Sequence, residues 1–376
     1  MVQTIEWLGY FIILIHTGYW LLVSSFIYFW YKIPSFQNTG EGNPIYFSVV
    51  IPVRDEAKNI LKLLADLQVQ THLSFEVIII DDRSEDDTFS LVSSFISKAH
   101  FPLRIETNQL RFPSPKKSAI VQGIELAKGQ FIVTTDGDCR VQESWLAHLS
   151  EFIQQKQAKL VSGGVVFESN HLFGKMQTVE MMSLIGAGAA SLAAGSPSMC
   201  NGANLAFEKK TFFEVGGYAG NEHLASGDDE FLLHKIHKKH PYNVFFLKDK
   251  ASAVSTAPLK SLQDFFHQRK RWAGKWSHYT SLAPKLLAIF IFTYHFSFIF
   301  LLAAPFFGLL SWNFSLSLIA IKLVLEFIYL GSLLLFYGKQ KLSHLIFPLG
   351  MIYSFYAVIV GISSNFGGYT WKKRRF

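Results

Sequence analysis

The 376 residues are 50% hydrophobic and only 17% charged, a balance that excludes an ordinary water-soluble domain and points to contact with lipid. A formal charge of +7, with basic residues gathered at Lys116-Lys117, Arg269 to Lys275 and Lys372 to Arg375, suits phosphates or lipid headgroups. No recognition-helix or aromatic-interleaved pattern accompanies those clusters, which argues against nucleic acid, and two cysteines, Cys139 and Cys200, make neither a disulfide framework nor a zinc set.

Trp7 to Tyr31 carries no Lys, Arg, Asp or Glu and exceeds the roughly 20 residues needed to cross a hydrocarbon core. Glu6 precedes it and Lys32-Ile33-Pro34 follows, unlike a signal peptide, so an uncleaved anchor over residues 1–32 is expected. After a polar linker, Tyr46 to Val53 reads as a buried parallel strand ending in Arg54-Asp55-Glu56. Asn59 to Gln70 places Ile60, Leu63, Leu64 and Leu67 at helical spacing, and Phe75 to Ile80 is a second buried strand ending in Asp81-Asp82-Arg83-Ser84. A helix over Thr88 to Lys98, a strand over Leu103 to Glu106 and a helix over Ser118 to Ala127 continue the alternation.

Phe131 to Thr134 is the next apolar run, and it leads into Thr135-Asp136-Gly137-Asp138. Alternation along a strand would project Asp136 and Asp138 to one side, with Gly137 adding no bulk. Paired carboxylates suit a hard cation such as Mg²⁺ or Mn²⁺, although an isolated Asp-x-Asp is equally an ordinary polar turn. Ligands in open α/β sheets bind outside the carboxyl ends of the strands, so Asp55, Asp82 and Asp136 are expected to converge on one cleft.

A helix over Trp145 to Gln155 and a strand over Leu160 to Phe167 follow, the paired Gly163 and Gly164 suiting close approach by another element or a ligand. Leu172 to Ala194 looks helical, but Lys175 and Glu180 interrupt its apolar character, so it is expected to lie at an interface rather than to cross. Cys200-Asn201-Gly202-Ala203-Asn204 leads a short strand, Leu205 to Phe207, and Gly216-Gly217 marks a turn. Asp228-Asp229-Glu230 opens a helix running to about His240; carboxylates in a first turn are also what the helix dipole favours. His234, His237 and His240 share it with three lysines and read as a solvated basic face, not a metal site.

Ser261 to His278 forms an amphipathic basic helix with Phe265, Phe266, Trp272 and Trp276, of the kind that lies in a membrane interface. Leu286 to Leu310, Phe314 to Tyr337 and Leu342 to Phe366 all have crossing length, and Lys322 and Glu326, four residues apart, are expected to neutralise each other towards the interior. The expected organisation is therefore an anchor (1–32), an α/β catalytic domain (45–257), an interfacial helix (258–283), C-terminal membrane helices (284–368) and a basic tail (369–376). Gly361, Ser363, Ser364, Gly367 and Gly368 weaken one end of the last apolar segment, which favours a partly re-entrant or interfacial course there.

These motifs, from about Ser48 to Trp276, resemble the membrane-integrated glycosyltransferases of family 2, whose GT-A domain is a Rossmann-like, mixed but mostly parallel sheet. Val50 to Glu56 looks like that family's first strand and loop, which implies donor contacts from Pro52, Arg54, Asp55 and Glu56. Ile80 to Ser84 is similar to its second, where Asp82 would read the donor base, and Lys116-Lys117 to its diphosphate-facing segment. Asp136-Gly137-Asp138 resembles the metal motif, with Gly137 for the commoner alanine; Asp136 would touch donor and metal, Asp138 metal alone. Asp228-Asp229-x-x-Leu232 is similar to a Glu-Asp-x-x-Leu motif, which puts the catalytic base on Asp229. Gln268-x-x-Arg271-Trp272 matches Gln-x-x-Arg-Trp, and with Asn201, Gly202 and Asp228 it is assigned to acceptor and diphosphate. Trp371 to Phe376 also looks like an ending found in some glycolipid-forming members.

The resemblance implies transfer of a sugar, hexosyl or related, from a nucleotide-diphosphate donor to a hydroxyl on a lipid or lipid-linked glycan. A cation and a lysine would stabilise charge on the leaving phosphate, and a single base rather than a flanking pair implies inversion. Expected partners are the nucleotide sugar, the lipid acceptor and membrane lipids; the expected place is the cell (inner) membrane, multi-pass, with the catalytic domain in the cytoplasm. A processive polysaccharide synthase and a non-catalytic membrane scaffold are the alternatives. Four spans make a polymer channel narrow, and intact aspartates in three loops oppose the scaffold.

Overall fold

The structure is a computed structural model and describes every residue except Met1, Glu41, Ala225, 276–281, 367–369, 372–373 and Phe376. It divides into two compact units: a sheet unit of Lys32–Gly174 and Ala187–Pro258, and a helical unit of Met1–Tyr31, Lys175–Gly186 and Leu259–Phe376.

In the sheet unit, β1 (Phe47–Val53), β2 (Phe75–Asp81), β3 (Leu103–Thr107) and β4 (Phe131–Thr134) pair in parallel in the order β3-β2-β1-β4. Near-continuous apolar runs form them because both faces are covered: Val49, Val50, Ile51, Val77, Ile79, Ile80, Ile132 and Val133 are all buried. The sheet continues through β7 (Leu205–Glu208), antiparallel to both neighbours, to β5 (Leu160–Gly163) and β8 (Val244–Leu247). Helices α2 (Ile60–Gln68), α3 (Thr88–Phe95), α4 (Pro115–Leu126) and α5 (Trp145–Lys156) follow the strands as the periodicity predicts, and α2 buries Ile60, Leu63, Leu64 and Leu67. From β1 the order runs outwards to β2 and β3, then returns so that β4 lies on the other side of β1. The chain therefore reverses between β1 and β4, and a crevice opens at their carboxyl ends.

One strand expected from the sequence is two. Leu160 to Phe167 breaks at Gly164, with β5 in the main sheet and β6 (Val165–Phe167) paired to β9 (Val254–Thr256) in a second, two-stranded sheet. The close approach anticipated at the glycines comes from within the protein. Asn204 Nδ2 donates to the Gly164 carbonyl (2.9 Å) and its side chain lies where a Cβ on Gly163 would go, while its Oδ1 accepts from Trp145 Nε1 (3.0 Å). The short elements β8, β9 and α7 (Lys209–Glu214) are not evident in the sequence.

The helical unit contains α1 (Val2–Lys32), α9 (Leu262–Ala273), α10 (Leu282–Ala303), α11 (Trp312–Phe336) and α12 (Ile346–Ser363), the last preceded by a 3₁₀ turn over Gln340–Leu345. Among the described residues, four helical stretches are long and apolar enough to cross a membrane: Trp7–Lys32, Lys285–Phe307, Trp312–Phe336 and Gln340–Ser363. Ile12, Phe298, Leu301, Leu318 and Ile319 form an apolar core between α1, α10 and α11. α12 runs unbroken past Gly361 to Ser363, while Gly367 and Gly368 of the weakened end lie outside the described residues.

Lys322 and Glu326 pair as expected, Nζ to Oε2 at 2.7 Å, and both are buried. The amphipathic helix is α-helical over Leu262–Ala273, with Gly274 and Lys275 in a 3₁₀ turn; Trp276 and His278 lie outside the described residues. So do Lys372, Lys373 and Phe376 of the tail, whose Thr370–Trp371 and Arg374–Arg375 pair as a short antiparallel ladder. The interrupted stretch is one 22-residue helix, α6 (Leu172–Ala193), whose Lys175–Gly186 groups with the helical unit and the rest with the sheet unit.

Candidate active site

The loops after β1 and β2 interlock. Asp55, which follows β1, and Arg83, which follows β2, both take positive φ (52° and 55°), an uncommon conformation for these residues that surrounding bonds must hold. Asp55 N donates to Ser84 Oγ (2.9 Å), Glu85 N returns a bond to Asp55 Oδ1 (2.8 Å), and Ser84 is fixed in turn by Asp81 (Oγ to Oδ1 2.5 Å, N to Oδ2 3.0 Å). Buried Arg54 reaches across to the Asp82 carbonyl (2.8 Å) and to Glu85 (3.2 Å), and buried Asp82 accepts from Asn108 Nδ2 (3.0 Å). Glu56 binds through its amide to Thr88 Oγ1 (2.7 Å) and accepts from Asn59 (3.0 Å), while Pro52 closes β1 opposite Ile80.

Asp136 and Asp138 do not share a face of a strand, contrary to the alternation argument. β4 ends at Thr134, and the two carboxylates sit in a turn closed by a bond from Cys139 N to the Asp136 carbonyl (3.1 Å). Gly137 fits closely: a Cβ there would lie 2.9 Å from Val53 Cγ1 and 3.1 Å from Glu56 Cγ, so these side chains would have to shift to admit one. Burial first, then the Asp136 and Asp138 carboxylates, push the Cys139 thiol well above its ordinary range, which keeps it protonated and unreactive.

Lys116 and Lys117, adjacent at the start of α4, part company. Lys116 Nζ lies 2.9 Å from Asp136 Oδ1 and 3.4 Å from Asp228 Oδ2 and joins the β4 turn to the segment before α8 (Glu230–Lys239). Burial opposes its charge, but Asp136, Asp228 and Asp229 outweigh that, and its pKa is raised, so it remains an ammonium. Lys117 turns inwards and is buried, donating to the Asn221 carbonyl (2.6 Å) with Tyr218 and Phe231 rings within 6 Å.

Asp229 caps α8. Its Oδ1 accepts from Glu230 N (2.7 Å) and its Oδ2 from Gly202 N (3.0 Å), while Thr134 Oγ1 at the end of β4 donates to the Gly202 carbonyl (2.7 Å). Asn201 shapes the approach by accepting from Ala203 N (3.0 Å). Buried Asp228 lies so near Gly202 that a Cβ there would be 3.3 Å from its Oδ2. Burial, then Asp228 and Asp229, raise the neighbouring Tyr218 phenol well above its usual range. Lys116, Asp136, Asn201, Gly202, Asp228 and Asp229 are thus one connected constellation, and Arg54, Asp55 and Asp82 form a second cluster on the adjoining strand ends. Among the described residues no set of three His, Cys, Asp or Glu forms a ready-made metal cage.

Gln268, Arg271 and Trp272 lie on α9, in the helical unit. Their neighbour Arg269, passed over in the sequence as one of three successive cations, is buried against Glu180. The signal was spacing: Phe265, Arg269 and Trp272 share one helix face. Asn108 and Asn221, which brace the site, carry no sequence pattern of their own.

Residues 48–221 match the sequence pattern of glycosyl transferase family 2. That segment of the chain carries a family 2 glycosyltransferase domain. Similar curated proteins are the glycosyltransferase AglE of Haloferax volcanii, 28% identical over 49% of this chain and 59% of its own length, and the poly-beta-1,6-N-acetyl-D-glucosamine synthase of Staphylococcus aureus, 26% identical over 68% and 61%. Glycosyltransferase GlyG of Streptococcus pneumoniae is 28% identical over 31% of this chain and 38% of its own. The chain thus spans between about two fifths and three fifths of the length of these curated relatives. Among solved structures, mannosyltransferase PcManGT from Pyrobaculum calidifontis, in complex with GDP-Man and Mn²⁺, superposes with a TM-score of 0.65 over 96% of this chain and 99% of that one. At 16% identity that likeness concerns the GT-A fold.

Proposed function

We propose that this family 2 chain is a membrane-embedded inverting glycosyltransferase that moves a sugar from a nucleotide-diphosphate donor to a hydroxyl of a lipid or lipid-linked glycan. The observation that carries the reading is Lys116 held between Asp136 and Asp228, beside an Asp229 aimed by two backbone amides. In this reading Asp82, Asp55 and Arg54 shape the nucleoside side of the donor site, with Pro52 and Glu56 forming its wall. Asp136 and Asp138 would hold Mg²⁺ or Mn²⁺. Their hard carboxylate oxygens fit such an ion, and the ammonium already drawn against Asp136 supports a site of negative potential. When bound, the ion neutralises charge developing on the leaving diphosphate. Lys116 adds a fixed cation at the same place, preorganised by two carboxylates, while Lys117 supports the segment around Asn221 from behind.

Asp229 then accepts the proton of the attacking hydroxyl. Gly202 N and Glu230 N orient its carboxylate for that role. One carboxylate acting as base, rather than a flanking pair, implies a single displacement with inversion. Asn201, Asp228, Gln268, Arg271 and Trp272 are assigned to acceptor and diphosphate, and the four long apolar helices support a lipid-borne acceptor. The proposed orientation is a cytoplasmic sheet unit in the cell membrane. A second reading, polymer synthesis, rests on the likeness to the Staphylococcus synthase over 68% of this chain. Purified protein in lipid, screened against nucleotide sugars with Mg²⁺ or Mn²⁺, separates them by product mass: one added sugar, or a ladder. No transfer from any donor would sink both.

A further inference from the structure

α9 is tied to α6 at two levels, one helical turn apart on α6. Where the chain enters α9, Gln177 clamps Leu259 from both sides, Nε2 to the carbonyl at 2.8 Å and Oε1 from the amide at 3.1 Å. A turn further on, Arg269 grips Glu180 with two parallel bonds, Nε to Oε1 at 2.9 Å and Nη2 to Oε2 at 2.6 Å. Both side chains are at most 5% exposed. The third arm of the guanidinium, Nη1, donates to Gln268 Oε1, and its face lies 4.5 Å from the Phe265 ring and 4.3 Å from the Trp272 ring. Tyr356 on α12 donates to Glu180 Oε1 at 3.0 Å and fixes the carboxylate from its other side.

A buried ion pair is an expensive way to pack two helices, because desolvating both charges cancels much of their attraction, and apolar residues of similar volume do the job as well. What apolar residues cannot do is what Arg269 does here. Its planar fork fixes direction as well as distance, and the same group touches two members of the Gln268-x-x-Arg271-Trp272 set at once.

We propose that Arg269, locked by Glu180, is the positioning residue for Gln268 and Trp272: it sets the rotamer of both side chains and the rotation of α9. The inference rests on the assignment of those residues to acceptor and diphosphate made above. It also gives a reason for the buried carboxylate of Glu180 on α6. Arg269 itself touches no substrate in this scheme.

The test uses the full chain in lipid and three variants: Arg269→Lys, which keeps the charge and loses the fork; Glu180→Gln; and the double variant Glu180→Met with Arg269→Met, which keeps volume without charge. For the two single variants kcat is expected to fall about tenfold to a hundredfold, the size of effect a small misplacement produces, with KM for the donor within about threefold. Amide hydrogen exchange over Leu262–Ala273 is expected to rise in Arg269→Lys. The double variant is expected to recover the wild-type melting temperature but not kcat. If it recovers both, the pair is a packing element and the proposal is wrong. Unchanged exchange over α9 in Arg269→Lys would overturn it without any activity measurement. The exchange result therefore stands even if the wild-type chain transfers no sugar, an outcome that would count against the proposed function alone.

Discussion

Two lysines in this molecule meet carboxylates in opposite ways. Lys322, in the helical unit, is 1% exposed and meets one carboxylate: its Nζ lies 2.7 Å from Glu326 Oε2 and 2.7 Å from the Gly350 carbonyl, over the Phe298 ring. Glu326 uses its other oxygen to accept from Tyr19 (2.6 Å), whose ring stacks on Tyr294 at 3.6 Å, so α1, α10, α11 and α12 close around the pair. Lys116, in the sheet unit, is shared among Asp136, Asp228 and Asp229, and at the Asp136 end 40% of the side chain is open to solvent. A charge sealed by protein groups on every side holds a structure together. Charges gathered at the mouth of a sheet can be passed to something that arrives.

The contrast would break most sharply at Asp138. Replacing it with alanine should abolish transfer and leave folding intact, as should excess chelator on the wild type; full activity under chelation would move Asp138 from the working side of the comparison to the structural one. Asp229→Asn keeps the shape of the α8 cap but removes the proton acceptor, so turnover should fall about a hundredfold or more with nucleotide-sugar binding nearly normal by calorimetry. A wild-type turnover number in that variant would place the base elsewhere.

On the sealed side the readout is stability. Glu326→Ala strands a buried ammonium and should cost about 3–5 kcal/mol in unfolding measurements, whereas Lys322→Met with Glu326→Met should come close to wild type. If the double variant is as damaged as the single one, the pair does more than neutralise itself. The smallest expected effect sharpens the boundary of the open site: Gly137→Ala, the residue commoner in the family, has to displace Val53 or Glu56 and should destabilise by about 1–3 kcal/mol, seen as a lowered melting temperature. Introducing alanine at no cost would mean that the β1 loop yields more easily than its packing suggests.

Much of this was legible in the chain. Apolar runs covered on both faces announce parallel strands, amphipathic spacing announced α2, and long uncharged stretches announced the membrane helices, because each pattern reflects burial of a local segment. The aspartates at the strand ends could be named for the same reason: a short run of carboxylates after an apolar strand has few places to go. Lys322 and Glu326 were readable as partners because four residues make one helical turn.

What the sequence could not decide depends on residues distant along the chain. Leu160 to Phe167 reads as one strand, and only the fold brings Asn204, from the 3₁₀ turn before β7, against Gly163 and Gly164 where β5 gives way to β6. Adjacent Lys116 and Lys117 are equivalent in the sequence, yet helix geometry turns one towards Asp136 and Asp228 and the other towards Asn221, more than a hundred residues away. Asp136 and Asp138 were expected on a strand and stand in a turn, because Val53 and Glu56 of the β1 loop pack against Gly137. Local pattern reports whether a side chain is buried, but the partner that gives a buried charge its role is chosen only when the tertiary fold brings distant segments together.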